Sequence, residues 1–80
     1  MKQEQAYSWL NIGELVRHSG VSVPTIHFYE EKELIWRTRT EGNQRRYQRA
    51  MLRRIAIIKA AQQVGISLQQ IKQTLMTLPK

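Results

Sequence analysis

Eighty residues with a formal net charge of +7 make one domain with a small core, whose stability is modest unless a partner helps. These residues include no cysteine, which excludes a disulfide, a thiolate zinc site and a cysteine-ligated cluster within them. No apolar run approaches membrane-spanning length and the N-terminus lacks signal-peptide order, so a soluble cytoplasmic protein with no membrane partner is expected.

Residues 1–9 read as a flexible N-terminal arm. Asn11 is placed as an N-cap with Glu14 reaching back to it, and Ile12, Leu15 and Val16 line one face of a first helix. Gly20 supplies its left-handed stop. Ser22 caps a second helix, with Pro24 in the first turn and Val21 and Ile26 placed as a hydrophobic staple. That helix is expected to run to about residue 32. Two short helices around a glycine turn, spanning about residues 12–32, are the layout of a helix-turn-helix.

Leu34, Ile35 and Trp36 read as a short extended piece, Gly42-Asn43 as a turn tip, and residues 45–47 as the return strand. Together they predict a wing over about residues 35–47. A long helix is expected from Gln48, a poor cap, to Val64, with Leu52, Ile55, Ile58, Ala61 and Val64 on its apolar face and Gly65 ending it. The last helix opens on a capping box at Ser67 and Gln70, with Ile66 and Ile71 as a second staple. Ile71, Leu75 and Leu78 form its apolar face. The fold class is therefore mainly α, four helices with a short β-hairpin wing.

The charge is concentrated. Arg37, Arg39, Arg45, Arg46, Arg49, Arg53 and Arg54 face only Glu41 in their window. An isoelectric point near 10.4 with clustered cations is an electrostatic footprint of nucleic-acid binding. Arginine suits that task because its planar fork matches phosphate and guanine. On the second helix, Thr25 is suited to a base edge or a phosphate, and shares a side with Phe28. His27 is a groove contact or an unremarkable surface histidine. A metal site is a poor reading, because His18 lies on another helix and no cysteine is available. Tyr29 is either an ordinary core tyrosine or a half-buried ring reaching a phosphate. In the wing, Arg37, Asn43, Gln44, Arg45 and Arg46 are the candidates. Alternation along a strand forbids Arg45 and Arg46 from facing one surface together, so one is free to pair with Glu30 or Glu31. Arg49, Arg53 and Arg54 are each read as a solvated face. Glu30, Glu31 and Glu33 form a helix-end charge cluster, and no catalytic constellation or phosphate loop occurs. An enzyme is not expected.

The strings Asn-Ile-Gly-Glu-Leu, Ser-Gly-Val-Ser-Val, Phe-Tyr-Glu-Glu-Lys, Gly-Asn-Gln-Arg-Arg-Tyr and Val-Gly-Ile-Ser-Leu resemble the DNA-binding domain of MerR-family regulators over about residues 10–78. His27-Phe28-Tyr29-Glu30, the wing string and Ile57-Ile58-Lys59 resemble the SoxR branch. The resemblance implies a winged helix-turn-helix whose residues 22–32 enter the major groove while the wing grips the backbone. It implies DNA-contacting positions at Ser22, Thr25, His27 and Tyr29, and in the wing at Arg37, Asn43, Gln44, Arg45 and Arg46, with Tyr47 supporting. Family members are dimers that bend promoter DNA and so act on RNA polymerase indirectly. SoxR-type proteins continue into a dimerisation helix and a cysteine cluster holding an iron–sulfur centre. Neither lies within these 80 residues. No cofactor is therefore assigned to them, and a homodimer is expected only if a longer C-terminal helix exists. A trimmed fragment, a truncated gene product and a stand-alone variant are all open.

The reading is sequence-specific duplex DNA binding, as part or whole of a transcriptional regulator. The alternatives are a small architectural DNA-bending factor of the excisionase type and a protein-interaction module for an acidic partner.

Overall fold

A computed structural model describes residues 9–39, 42 and 45–77, apart from the Arg45 side chain. In chain order its elements are β1 (Trp9–Leu10), α1 (Ile12–Ser19), α2 (Val23–Glu31), β2 (Thr38–Arg39), β3 (Arg45–Gln48), α3 (Ala50–Gln63) and α4 (Leu68–Met76). Asn43 and Gln44 in the wing, and Leu78 in the last helix, lie outside the described residues.

Local chemistry starts the helices as expected. At α1 the Asn11 side chain accepts from the Glu14 N–H at 2.8 Å, and Glu14 accepts from the Asn11 N–H at 2.9 Å, a reciprocal capping box. Ser22 and Ser67 cap α2 and α4 by accepting from the N–H of Thr25 at 3.3 Å and of Gln70 at 3.2 Å. At α4 the box is only half formed, because the Gln70 side chain meets the Ser67 hydroxyl at 3.4 Å. Helix α3 starts later than expected, since Gln48 pairs with Trp9 in the sheet. Its N-cap position falls to Arg49, which makes no side-chain cap bond.

Two helices end in the same closure. After α3, the N–H groups of Gly65 and Ile66 return to the carbonyls of Gln62 and Ala61, both at 3.0 Å, with Gly65 at φ 83°. After α2, those of Glu33 and Leu34 return to Glu30 and Tyr29, both at 2.9 Å. Both are Schellman motifs, but the second places Glu33, a non-glycine residue, at φ 63°. This turn also corrects the expected strand at residues 34–36. Leu34 and Ile35 are fully buried immediately after the reversal, and strand pairing begins only at Thr38.

The sheet is antiparallel in the order β1-β3-β2. Its register sets Trp9 opposite Gln48, Leu10 opposite Tyr47, Thr38 opposite Arg46 and Arg39 opposite Arg45. Trp9 therefore belongs to the folded domain, not to the arm assigned from sequence. A two-residue strand carries too little periodicity to be recognised in a sequence.

One core unites these elements. Leu10, Leu15, Ile26, Tyr29 and Tyr47 meet Met51, Ile55 and Ile58 of α3 and Ile71 and Leu75 of α4. Helix α1 packs on α2, α3, β1 and β3, and α4 packs on α3. The α3 stripe differs from expectation at both ends. Met51 is buried, while Val64 is 74% exposed, because the chain has left the helix at Val64 and is turning into Gly65. The C-terminal carbonyl of α1 receives the Lys59 ammonium from α3, Nζ to Ser19 O at 3.1 Å, a favourable place for a cation.

The two closures generate a pair of opposite outcomes. Replacing Gly65 by Ala puts a Cβ in the left-handed region and is expected to lower unfolding stability by about 1–2 kcal/mol. Glu33→Gly relieves the same strain and is expected to raise the urea midpoint. A Glu33→Gly variant less stable than the parent would show that its exposed pair with Lys72, at 2.8 Å, outweighs the backbone effect.

Candidate nucleic-acid interface

Helix α2 has two distinct sides. Ile26 and Tyr29 face the core, whereas Ser22, Val23, Pro24, His27, Phe28, Glu31 and Lys32 are exposed and Thr25 is half-buried. The Ser22 and Thr25 hydroxyls lie 3.0 Å apart. The capping interaction thus fixes two of the sequence-assigned contact residues in one orientation at the start of the helix. His27 stands on the outward side one turn beyond Val23.

Tyr29 does not stand with them. It is 3% exposed, and its hydroxyl donates to Gln62 Oε1 near the end of α3 at 2.9 Å. Burial pushes its phenol above the ordinary value. Of the two roles open to it in the sequence, the structure shows the core tyrosine, with its polar tip satisfied inside the domain.

Glu30 joins α2 to the wing. One carboxylate oxygen accepts from Arg37 Nε at 2.8 Å and the other from the Tyr47 hydroxyl at 3.1 Å. The Glu30 side chain is 15% exposed and that of Arg37 40%. Sequence reading offered Arg45 or Arg46 a carboxylate such as Glu30 or Glu31; among the described side chains it is Arg37 that pairs with Glu30. Arg37 thereby holds the wing to the helix while keeping part of its surface in solvent. Tyr47, on β3, is 2% exposed. Burial, followed by the Glu30 charge and hydrogen bond, pushes its phenol from the ordinary 10.0 to about 12. Tyr47 is therefore a core support of the wing.

Arg54 departs from its expected place on a solvated face. Its Nε donates to the Leu34 carbonyl at 2.8 Å, and its guanidinium carbon lies 4.6 Å from the centroid of the Trp36 ring. Burial lowers its pKa from the ordinary arginine value. The pair fixes the segment leading into β2. Helical spacing sets Arg54, three residues after Met51 and four before Ile58, on the flank of the buried stripe and Arg53 away from it; only the packing of α3 against this segment supplies its partners. Arg39, Arg49 and Arg53 are exposed and Arg46 is half-buried. The register of β2 and β3 sets Arg39 and Arg46 in the wing, while Arg49 and Arg53 stand at the start of α3.

The assembled surface is a capped helix with a mixed polar and apolar outward side beside a cationic hairpin, the two locked by one carboxylate. It suits a polyanion with readable edges. Among the described residues, no group of three His, Cys, Asp or Glu side chains is placed to hold a metal, and no helix is long and apolar enough to cross a membrane.

Comparison with known proteins agrees with this geometry. Residues 10–78 match the family described as MerR HTH family regulatory protein. The chain is 40% identical over 72 residues to the HTH-type transcriptional activator SoxR homolog of Chromobacterium violaceum, covering 90% of this chain and 49% of that protein. It is 38% identical over 65 residues to the HTH-type transcriptional regulator ZntR of Escherichia coli K12, covering 80% and 46%. The mercuric resistance operon regulatory protein of Pseudomonas fluorescens is 39% identical over 67 residues, with 82% and 46% covered. The chain thus spans about half the length of these relatives.

The Tyr47 environment gives a pH dependence of known sign. The folded protein favours the neutral phenol, so this contribution to stability is complete below pH 10 and is lost as the pH rises through about 12. We expect the stability difference between the parent and Tyr47→Phe, measured by urea unfolding, to shrink across that window. A difference that stays constant would mean that Tyr47 contributes by packing alone.

Proposed function

The chain belongs to the MerR HTH family of regulatory proteins, and from that footing we propose that α2 reads base edges in a DNA major groove while the wing grips the adjacent backbone. Membership sets it among transcription regulators and not among enzymes. The observation that carries the reading is the juxtaposition of the outward side of α2 with the cationic wing, held in one geometry by Glu30, Arg37 and Tyr47. A solvated basic surface would need no such lock between a polar helix and a hairpin.

The roles divide accordingly. Ser22, Thr25 and His27 are the readers. Arg45 and Arg46, with Asn43 and Gln44 before them in the sequence, are the backbone grip. Arg37 both positions the wing and contributes positive charge. The finer reading is an operator preference of SoxR type. The 40% identity to the SoxR homolog and the His27-Phe28-Tyr29-Glu30 string on α2 support it. Promoter bending and action on RNA polymerase belong to the same proposal, as does pairing of two such heads where a longer C-terminal helix exists.

Two measurements test it. Affinity for duplex DNA should fall steeply with salt, with a log–log slope of about −0.9 for each phosphate neutralised. Affinity that is flat between low and physiological salt would sink the reading.

The second compares Arg45→Ala and Arg46→Ala with Thr25→Ala and His27→Ala on a randomised duplex library. The wing pair should weaken binding to all sequences alike. The helix pair should relax base preference, each lost base contact costing about 1–3 kcal/mol. The same loss profile for both pairs would refute the division of roles.

A further inference from the structure

One aromatic side chain on the outward side of α2 has no part in the polar reading. Phe28 is 38% exposed, an apolar ring turned to solvent between the readers at the start of the helix and the wing beyond its end. It follows Thr25 by three residues and Pro24 by four, so the three share a side of the helix. Its ring is also held in place. The Tyr29 ring lies 6.2 Å away, tilted by 51°, and the Lys32 ammonium sits 5.6 Å from the Phe28 centroid, within range of a cation–π contact.

The ring carries no donor or acceptor, so it has nothing to offer a phosphate oxygen or the polar edge of a base. The major groove presents one apolar feature to such a surface, the 5-methyl group of thymine. Lys32 supplies the cation that a flanking phosphate would meet, which leaves the ring to the base edges.

We propose that Phe28 reads a thymine methyl group, adding a thymine-selective apolar contact to the polar contacts of Thr25 and His27. This rests on the DNA-reading role proposed above. It predicts a thymine at one fixed position in the footprint of α2, recognised through its methyl group and not through its hydrogen-bonding edge.

The test uses the 80-residue chain to select from a randomised duplex library. The selected duplex is then remade with each thymine in turn replaced by deoxyuridine, which removes only the methyl group. At one position in each bound site, affinity should fall about fourfold, the value for burying one methyl. In Phe28→Ala, with folding checked by circular dichroism, thymine and uracil should bind alike at that position. Should that variant fail to fold, Phe28→Leu decides. A smaller uracil penalty supports the assignment and an unchanged one overturns it. Sequence-selective binding with uracil tolerated everywhere, or a methyl preference that survives Phe28→Ala, overturns the assignment and leaves DNA reading intact. Selection of no duplex at all overturns both.

Discussion

The geometry of the interface depends on a single carboxylate. Glu30 projects from the last turns of α2 and uses both oxygens, one for Arg37 at the entry to the wing and one for Tyr47 on its central strand. Charge-assisted hydrogen bonds of this kind are stronger than neutral ones and more directional. Partial burial strengthens the electrostatics, and it also makes the loss of either partner costly. A helix and a hairpin in a small domain share little buried area of their own. The joint supplies the fixed angle that hydrophobic contact alone, being non-directional, does not.

The cations of this chain serve two purposes that composition cannot separate. Some close the fold. Lys59 meets the last carbonyl of α1, and Arg54 meets the buried Leu34 carbonyl while stacking on Trp36. Arg37 ties the wing to α2. The remaining arginines near the wing build a surface potential that attracts a polyanion and raises encounter rates. Using long cationic side chains internally is economical in a domain of this size, because their apolar stems cover surface that a small core leaves open.

Function and stability meet at α2. Its inner side contributes Ile26 and Tyr29 to the core, and the Tyr29 hydroxyl reaches Gln62 on α3. The helix is therefore anchored from beneath at its centre, capped by Ser22 at its start and joined to the wing at its end. A side chain presented from such a rigid element loses less conformational freedom on meeting a groove than one on a loop. Apart from Ser22, whose hydroxyl caps the helix, the exposed residues of α2 lie outside the buried core.

Much of the molecule was legible in the linear order, and the part that was legible is local. The Asn11–Glu14 box, the Ser22 and Ser67 caps and the glycines at 20 and 65 depend only on neighbours a few residues away, so their spacing is their signature. The outward placement of His27 followed from the same periodicity. What only the tertiary structure decided are choices among chemically equivalent candidates far apart in the chain. Strand alternation offered Arg45 or Arg46 to Glu30 or Glu31, whereas the packed domain brings Arg37 to Glu30. Tyr29 suited the core and the groove alike until α3 brought Gln62 to its hydroxyl. Trp9 became a strand only because β3 lay beside it, and Glu33 took the left-handed position of a glycine because the chain had to reverse there for Leu34 and Ile35 to be buried. Local hydrogen bonds are written in spacing, whereas long-range partners are set by which surfaces the shared core draws together.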